Sequence, residues 1–390
     1  ANGARLTSNY FMLDGTDIND SQNFTPGGAG GQLFGVDSIL EFQVLTHNQS
    51  AQYGRSMGGI INAVTRSGTN AFHGSVYEFL RNSALDAKNF FDDANAPIPP
   101  FKRNQFGATA GGPIRKDKMF YFANYEGLRE RLGVSKNALV PDAAARRGDI
   151  PGAPHIDINS GVVPYLNLYP LPNGPNTGPG IGQYRFTQTQ PTTVDYVTGR
   201  TDWIPTEKDS FFTRYTIDDS SKLRMDALDH VLGLFAESEA HRNQYVTLGW
   251  TRTISPRVVN VARFGFNRST TLVDLSKVAN VSDSLAFIPG QQFGRMTIGG
   301  ISPCCATIND PRYFRMNSFQ PSDDLSFTVG NHALKMGFIV ERFQWNTANY
   351  NRIGGDYVFD TLADFLRANV RTVDVPFPGS DPIRGIRATL

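Results

Sequence analysis

The feature that most constrains the fold is a regular alternation of short and long connections between segments that have the residue pattern of β-strands. Within these segments apolar side chains recur at every second position, as at Val246, Leu248 and Trp250, so that one strand face is apolar. The pattern predicts strands at residues 72–81, 104–113, 118–127, 194–204, 209–218, 243–254, 257–268, 318–329 and 332–345, with a weaker one at 356–361.

The predicted connections fall into two classes of length. The short ones are Ile114–Asp117, Pro205–Lys208, Ile254–Pro256 and Gly330–Asn331, and the long ones are residues 82–103, 128–193, 219–242 and 269–317. A soluble sandwich has no reason to sort its loops in this way, because both of its ends face water. An outer-membrane barrel has short periplasmic turns and long extracellular loops. The loop lengths therefore predict an all-β fold that forms a transmembrane antiparallel barrel.

The composition agrees with this prediction and excludes other classes of protein. Aromatic residues make up 12% of the chain, with 38 glycines and 23 prolines, which is typical of strands joined by turns. The 37 basic and 36 acidic residues balance, so no nucleic-acid partner is expected. No run of 18 apolar residues exists, so no membrane-spanning helix is expected.

Aromatic residues also cluster near the ends of the predicted strands, where interfacial girdles form in membrane barrels. The residues concerned are Tyr121, Phe122, Tyr125, Phe211, Phe212, Tyr215, Phe343 and Trp345. Aromatic residues in the core of a sandwich are the alternative interpretation of the same pattern.

The first 70 residues differ from the rest of the chain in having short predicted strands and clustered glycines. The strands are Tyr10–Leu13, Ile39–Leu45 and Ile60–Thr65. A wide barrel needs something to close its lumen, so this unit is predicted to be a plug. Gly54, Gly58 and Gly59 are then expected to permit a turn and close packing of the plug backbone against the barrel wall, and Gly68 to make the exit turn from plug to wall. A phosphate-binding loop is not expected, because the segment lacks the required lysine and hydroxyl order.

Several motifs resemble one family when they are taken together. The LDG turn, the strand SILEFQVLT and the run SAQYGRSMGGIINAVTRSGTN leading into FHGSVYEFLRN resemble the plug-to-barrel junction of TonB-dependent outer-membrane receptors. RNQFGATAGGPIRKDKMFYFANYEGLRE, LNLYPLPN, YVTGRTDW and SFQPSDDLSFTVGNHALKMGFIVERFQ resemble its Oar-like branch, which carries a carboxypeptidase-regulatory-like domain and is abundant in acidobacteria.

The resemblance implies the end of a plug domain at residues 1–70 and the first part of a barrel at residues 71–390. Large transporters of this kind close with about 22 strands, and nine or ten are predicted here. We therefore expect the 390 residues to be part of a gene product more than twice as long. The resemblance also implies an outer-membrane location, contact with outer-membrane lipid, and the TonB–ExbB–ExbD complex as the energy-transducing partner.

The function that follows from this resemblance is energy-coupled transport, by plug movement, of a large or scarce substrate such as a chelated metal, an oligosaccharide or a peptide. Two alternatives remain open. One is a non-transporting outer-membrane adhesin or surface-binding receptor on the same scaffold. The other is a soluble carbohydrate-binding β-sandwich, which would need no detergent and would show no sorting of loop lengths.

Two groups of residues are predicted to act in this function. Arg55 and Arg66 flank the apolar strand of the plug and are expected to pair with barrel carboxylates, here Glu78 or Glu126, as a latch between plug and barrel; static packing is the alternative. Ligand contacts are expected from two flexible segments, which are the loop Val281–Ile308 and the glycine-rich segment containing Asn23, Phe24, Gln32 and Phe34.

Neither a metal site, a cofactor site nor a catalytic group is predicted. Cys304 and Cys305 are adjacent, so they are expected to be free thiols or a vicinal disulfide in a loop rather than part of a disulfide framework. The acidic residues of LDGTDIND lack the spacing of a calcium loop and are interpreted as a capped turn. No nucleophile motif is present, so the chain is predicted not to be an enzyme.

Overall fold

The computed structural model describes residues 5–20, 28–31, 35–46, 51–54, 58–87, 97–225, 232–305, 311–350, 352–375 and 388–389. Counted along the chain, its strands are β1 (Tyr10–Leu13), β2 (Thr16–Asp17), β3 (Ile39–Leu45), β4 (Ile60–Thr65), β5 (His73–Asn82), β6 (Phe101–Arg115), β7 (Met119–Pro141), β8 (Asn176–Gly178), β9 (Ile181–Trp203), β10 (Asp209–Arg224), β11 (Phe235–Ser255), β12 (Val258–Lys277), β13 (Arg295–Ile298), β14 (Cys304–Cys305), β15 (Arg312–Val329), β16 (His332–Ile339), β17 (Arg342–Asn349), β18 (Asp356–Phe359), β19 (Thr372–Asp374) and β20 (Ala388–Thr389).

Helical structure in the described residues is short. The helices are α1 (Val163–Leu166) and α2 (Leu362–Leu366), and single 3₁₀ turns occur at Leu6–Ser8, Ser83–Leu85, Ala145–Arg147 and Asp283–Leu285. Within the described ranges, no helix has the length and apolar character needed to cross a bilayer.

A small four-stranded sheet, which we call the inner unit (described residues between 5 and 65), contains the three short strands predicted for the start of the chain. Its strand order is β2-β1-β4-β3, with β1 and β4 parallel. The LDG motif makes the hairpin turn between β1 and β2, where Asp14 (φ 50°) and Gly15 (φ 76°) both adopt the left-handed conformation. Asp-Gly is a preferred pair for such a turn.

The largest sheet, which we call the wall, has twelve strands and curves into a partly closed barrel. Its main path is β20-β17-β15-β12-β11-β10-β9-β7-β6-β5, with β16 also paired to β15 and β8 to β9, all antiparallel. The four predicted short turns join β6 to β7, β9 to β10, β11 to β12 and β15 to β16. All but the last of the predicted strands therefore lie in the wall.

The strands extend much further than predicted at the end of the wall that carries the long connections. β7 and β9 pair without interruption from Met119 opposite Trp203 to Pro141 opposite Ile181. The predicted loop at residues 128–193 is thus largely strand. At about 3.3 Å per residue, 23 residues reach roughly 75 Å, well beyond a bilayer. The prediction failed because polar residues occupy both strand faces above the membrane, which removes the alternation that identifies a strand.

Two predictions near the end of the chain are wrong in detail. The strand predicted at residues 332–345 is divided into β16 and β17, because both pair with β15 on either side of Pro321, which has no N–H to continue the ladder. The weak strand predicted at residues 356–361 is β18, which lies outside the wall in a third sheet of order β14-β13-β18-β19.

The long connections fold together into one structured layer, which we call the cap (described residues of 142–180, 278–305 and 352–375). Its core includes Tyr169, Phe293 and Phe365, all almost fully buried. Burial raises the pKa of the Tyr169 hydroxyl above its ordinary value. Cys304 and Cys305 form a vicinal disulfide inside this core. The predicted flexible loop 281–308 is therefore, in its described part, mostly packed structure.

The outer face of the wall carries the apolar band expected of a membrane barrel. Trp203, Phe211 and Trp250 stack in a row near the short turns, with ring centroids 5.5 and 5.8 Å apart. Eight residues further along β10, Asp219 forms an ion pair with Arg242. Eight residues span about 20 Å along the membrane normal at a tilt of 35–45°, which matches the height of a lipid-facing band.

Only part of the predicted aromatic girdle lies on this face. Tyr125 and Tyr215 point outward, whereas Phe122 is buried on the inner face and Phe212 packs against Arg200 inside the wall, with 4.7 Å between the guanidinium carbon and the ring centroid. Neighbouring aromatic residues on a strand face opposite sides, so each predicted Phe–Phe or Tyr–Phe pair contributes one ring to each side.

Two glycines permit close approach of backbones, Gly68 at the junction between the inner unit and the wall and Gly58 within the inner unit. A Cβ on Gly68 would lie 2.7 Å from the carbonyl oxygen of Gly112 and closer still to that of Tyr121. A Cβ on Gly58 would meet the Ser8 carbonyl oxygen at 2.8 Å. Neither contact is tolerable for a side chain, so both glycines are required by space rather than by backbone conformation.

We expect Gly68→Ala in the full-length protein to destabilise the junction by about 1–3 kcal/mol, because rigid backbone must move to admit the methyl group. The measurement is the midpoint temperature of the heat-dependent gel shift, which should fall by a few degrees. Gly54→Ala is the matched control, since a Cβ there meets nothing within 4 Å; the close packing predicted for Gly54 is therefore wrong. Equal midpoints for the two variants would contradict this account.

Candidate functional site

The inner unit contacts the inner face of the wall through three polar anchors. The first surrounds Asp14, a buried carboxylate in the β1–β2 turn. Its Oδ1 and Oδ2 accept hydrogen bonds from the N–H (2.9 Å) and hydroxyl (2.8 Å) of Thr65. The same carboxylate lies 2.9 Å from Nε of Arg214 and 3.5 Å from Nη1 of Arg200. We call this group the Asp14 anchor.

The two arginines of this anchor depend on Asp14 electrostatically. Arg200 on β9 and Arg214 on β10 are directly opposite in the wall register, and like charges in that position repel. Arg200 is partly compensated by Asp202 at 2.8 Å. Arg214 is completely buried, and Asp14 is its only ion-pair partner in the described part of the chain. The inner unit therefore supplies the negative charge that lets the wall bury Arg214.

The second anchor satisfies the free edge of β2. The Asp17 N–H donates to Oε1 of Gln320 at 2.8 Å, and Nε2 of Gln320 donates to the Asp17 carbonyl at 3.1 Å. Nδ2 of Asn267 donates to the Asn19 carbonyl at 2.9 Å, and the hydroxyls of Thr16 and Thr247 are 2.8 Å apart. Wall side chains thus replace the neighbouring strand that β2 lacks on this side.

The third anchor surrounds Glu126 on β7, which is only 2% exposed. Its carboxylate accepts hydrogen bonds from the Val36 N–H (2.7 Å), the Tyr77 hydroxyl (2.5 Å) and Nε2 of Gln105 (2.8 Å). No lysine or arginine among the residues the structure describes forms an ion pair with it. The buried Glu126 carboxylate is therefore satisfied by three uncharged hydrogen-bond donors, and one of them, the Val36 N–H, belongs to the inner unit.

The structure describes three of the four residues of the predicted latch, and they do not pair with one another. Glu126 does contact the inner unit, but Arg66 donates from Nε to the Ile39 carbonyl at 3.3 Å, within the inner unit itself. Glu78 is exposed on the opposite face of β5, because it alternates with Tyr77. The predicted pairing of Arg66 with Glu78 or Glu126 is thus corrected. Arg55 lies outside the described residues.

The predicted ligand residues Asn23, Phe24, Gln32 and Phe34 also lie outside the described residues. The segment between them, residues 28–31, rests on the inner face of the wall, where the Ala29 N–H donates to the Ser220 hydroxyl at 2.8 Å. Its place is on the cap side of the inner unit, because Ser220 belongs to the half of β10 that is remote from the short turns.

The acidic turn is used for structure, as the sequence indicates. Oδ1 of Asp17 accepts the Asn19 N–H at 2.8 Å, and Oδ1 of Asn19 accepts the Phe11 N–H at 2.8 Å. Across the part of the chain that the structure describes, no cluster of three His, Cys, Asp or Glu residues could hold a metal ion.

A cleft of about 820 Å³ lies between the inner unit and the wall near the short turns. Charges of both signs line it, including Arg200, Arg263, Asp324, Lys335 and Glu341. Apolar side chains, among them Met12, Phe212 and Phe338, line the same cleft, so its surface is mixed in character.

Sequence reasoning missed Arg200, Arg214 and Gln320, which carry two of the three anchors. A signal was present, since Arg214 stands between outward-facing Thr213 and Tyr215, and a charged residue on the inward face of a wall strand needs a partner. The identity of that partner could not be inferred, because Asp14 is 200 positions away in the sequence.

Comparison with known proteins agrees with this architecture. Residues 64–381 match the protein family described as "Outer membrane beta barrel domain". The chain is 34% identical over 129 residues to the TonB-dependent transporter Oar of Myxococcus xanthus, an alignment that covers 32% of this chain and 12% of Oar.

Two solved structures share the fold at 11% sequence identity. The outer membrane transporter YddB from Escherichia coli aligns with a TM-score of 0.53 over 90% of this chain. A mutant ferric enterobactin receptor, PfeA, from Pseudomonas aeruginosa aligns with a TM-score of 0.50 over 88%. The chain spans 42% of the length of each structure.

The family match covers most of the chain, and it places the protein in the outer membrane. A soluble sandwich is therefore the wrong alternative. The chain belongs to the outer-membrane β-barrel domain family, and over 129 residues it is similar to a TonB-dependent transporter.

Proposed function

We propose that the protein transports a large or scarce substrate, such as a chelated metal, an oligosaccharide or a peptide, across the outer membrane, and that the inner unit is the plug that moves to let it pass. The energy would come from the TonB–ExbB–ExbD complex. The observation that carries the proposal is that the inner unit is fixed to the wall mainly by hydrogen bonds and ion pairs.

Polar anchors suit a plug because they can be exchanged for water. A protein hydrogen bond contributes only about 0.5–1.5 kcal/mol net, since water replaces it when it breaks. An interface of the same size made of apolar side chains would lose about 25 cal/mol for every Å² exposed. Displacing the plug into a hydrated lumen is therefore within reach of a modest pulling force.

Recognition is proposed to take place between the plug and the cap. Here the inner face of the wall carries a charged group in which Arg224 contacts Glu237 at 3.3 Å and Glu239 at 2.8 Å, while Arg312 contacts Glu237 at 3.1 Å. The segment of residues 28–31 approaches the same region from below, so Asn23, Phe24, Gln32 and Phe34 belong to this proposal as contacts of the substrate.

The cap favours one second candidate, a surface receptor or adhesin without transport. β7 and β9 continue 12 residues beyond Arg129, which holds Asp195 at 2.7 Å near the top of the apolar band. This extension raises the cap about 30 Å above the membrane at the usual strand tilt. A structured layer at that height is suited to binding large partners.

The Glu126 anchor can be tested with Glu126→Gln in the full-length receptor. The amide brings two N–H groups toward three donors, so one or more hydrogen bonds are lost, at about 1–3 kcal/mol for each group left unsatisfied. We expect faster hydrogen–deuterium exchange in residues 35–46 than in the wild type. Glu78→Gln is the matched control, because Glu78 lies two strands away on the exposed face. Unchanged exchange in Glu126→Gln would remove this anchor from the account.

Transport by plug movement can be tested with a reversible tether. Thr16→Cys together with Thr247→Cys should form a disulfide between plug and wall, because the two hydroxyls are 2.8 Å apart and the Cβ atoms are therefore within reach of the required geometry. Uptake of a radiolabelled ferric catecholate, an oligosaccharide and a peptide mixture is measured in cells with and without TonB.

We expect the oxidised double variant to lose the TonB-dependent uptake of whichever probe the wild type imports, and a reductant to restore it. Each single cysteine variant is a control and should import normally. Uptake that persists in the oxidised tether would reject plug movement. Surface binding of a probe without uptake in any variant, the wild type included, would favour the adhesin.

A further inference from the structure

Three arginines lie together on the outer face of the wall, and the transport function does not use them. Arg242, Arg268 and Arg315 are on the adjacent strands β11, β12 and β15. Arg268 is opposite Gln244 of β11 and Asn317 of β15. Two residues further along β12, Thr270 is opposite Arg242 on one side and Arg315 on the other. Directly opposite or diagonal positions in a sheet are about 5–8 Å apart. We call these three residues the arginine patch.

The charge of the patch is not balanced within the part of the chain that the structure describes. Arg242 is paired with Asp219, to which its Nε donates at 2.7 Å. No ion pair is formed by Arg268 or Arg315 in these residues. The Arg315 guanidinium packs over the Tyr313 ring at 5.0 Å, and its Nε is buried without a hydrogen-bond partner. Two positive charges are therefore left on a surface that faces lipid.

The patch lies at the height of the outer membrane boundary. Arg268 is ten residues above Val258, the first residue of β12 after a short turn. Ten residues rise about 25 Å at the usual tilt of barrel strands, which is the height of the apolar band. Below Arg268 the outward positions of β12 include Phe266 and Phe264. Arginines in lipid tails are costly, so they mark the level of headgroups.

We propose that the arginine patch binds the phosphate groups of a phosphorylated glycolipid in the outer leaflet. Guanidinium groups bind phosphate oxygens through paired N–H donors. The amides of Gln244 and Asn317 lie on either side of Arg268. One N–H of each already donates to a neighbour, to the Tyr215 hydroxyl and to Oε1 of Gln344, and the second N–H can donate to a sugar or phosphate oxygen. The aromatic and apolar positions directly below accommodate the acyl chains of the same molecule. The surface thus offers charged donors for the phosphorylated headgroup and apolar side chains for the acyl chains of one lipid molecule.

A lipid fits this surface better than a free anion or a second protein. A free phosphate would gain nothing from the apolar positions below the patch. The opposite side of the wall shows a contrast, because Arg129 at a similar height is neutralised by Asp195 and by a hydrogen bond from Nη1 to the Val194 carbonyl. Among the described residues, Arg129 is thus compensated, whereas Arg268 and Arg315 form no ion pair.

The test is native mass spectrometry of the full-length receptor in detergent, titrated with bisphosphorylated lipid A. We expect Arg268→Gln with Arg315→Gln to reduce the bound fraction about tenfold, which corresponds to loss of about 1.4 kcal/mol. Arg252→Gln is the matched control, because Arg252 is also on the outer face of β11 but near the short turns, where it pairs with Asp209. Its lipid binding should equal that of the wild type.

Two further arms identify the bound group. Lipid A without phosphates should bind the wild type about as weakly as the bisphosphorylated lipid binds the double variant. Inorganic phosphate at millimolar concentration should not displace the lipid. Equal binding by wild type and double variant, equal loss in Arg252→Gln, or displacement by inorganic phosphate alone would each overturn the proposal. Preserved heat-dependent gel migration confirms folding of every variant, and no arm depends on uptake, so failure of transport does not affect the result.

Discussion

The carboxylate of Asp14 between Arg214 and Arg200 is the interaction on which the assembly of the two parts depends. A fully buried arginine without a counter-ion would cost several kcal/mol, and in the described structure this counter-ion comes from the inner unit. Arg214 of the wall therefore has its counter-ion only while the inner unit is in place. The positive φ angles of Asp14 and Gly15 contribute to this interaction, because they form the tight β1–β2 turn that directs the Asp14 carboxylate toward β9 and β10.

The same dependence bears on the proposed movement of the inner unit. Arg200 has Asp202 and Phe212 as partners within the wall, and Glu126 has Tyr77 and Gln105. These two groups would keep those partners if the inner unit moved. Arg214 has no second ion-pair partner among the described residues, so water would have to take the place of Asp14. The wall thus compensates two of the three charges, and Arg214 favours the state in which the inner unit is in place.

The two faces of each wall strand carry separate functions. Inward positions hold the polar anchors, and outward positions hold the apolar band, the stacked aromatic row and the arginine patch. Alternation of side chains along a strand makes this possible, so that Arg214 inside and Tyr215 outside are neighbours in sequence. Beyond the membrane the same strands lose the alternation and support the cap.

The sequence by itself determined the architecture, because strand periodicity and loop length are local properties. It predicted the wall strands from residue 72 to residue 329, the four short turns and the separate unit before them. Tertiary structure decided the partners. Three features depend on contacts between residues that are remote in the chain. They are the pairing of Arg214 with Asp14, the contact of Arg66 within the inner unit, and the cap with its buried disulfide. The periodicity of a strand predicts which face of the sheet a side chain occupies, and only the tertiary structure shows which residues it contacts on that face.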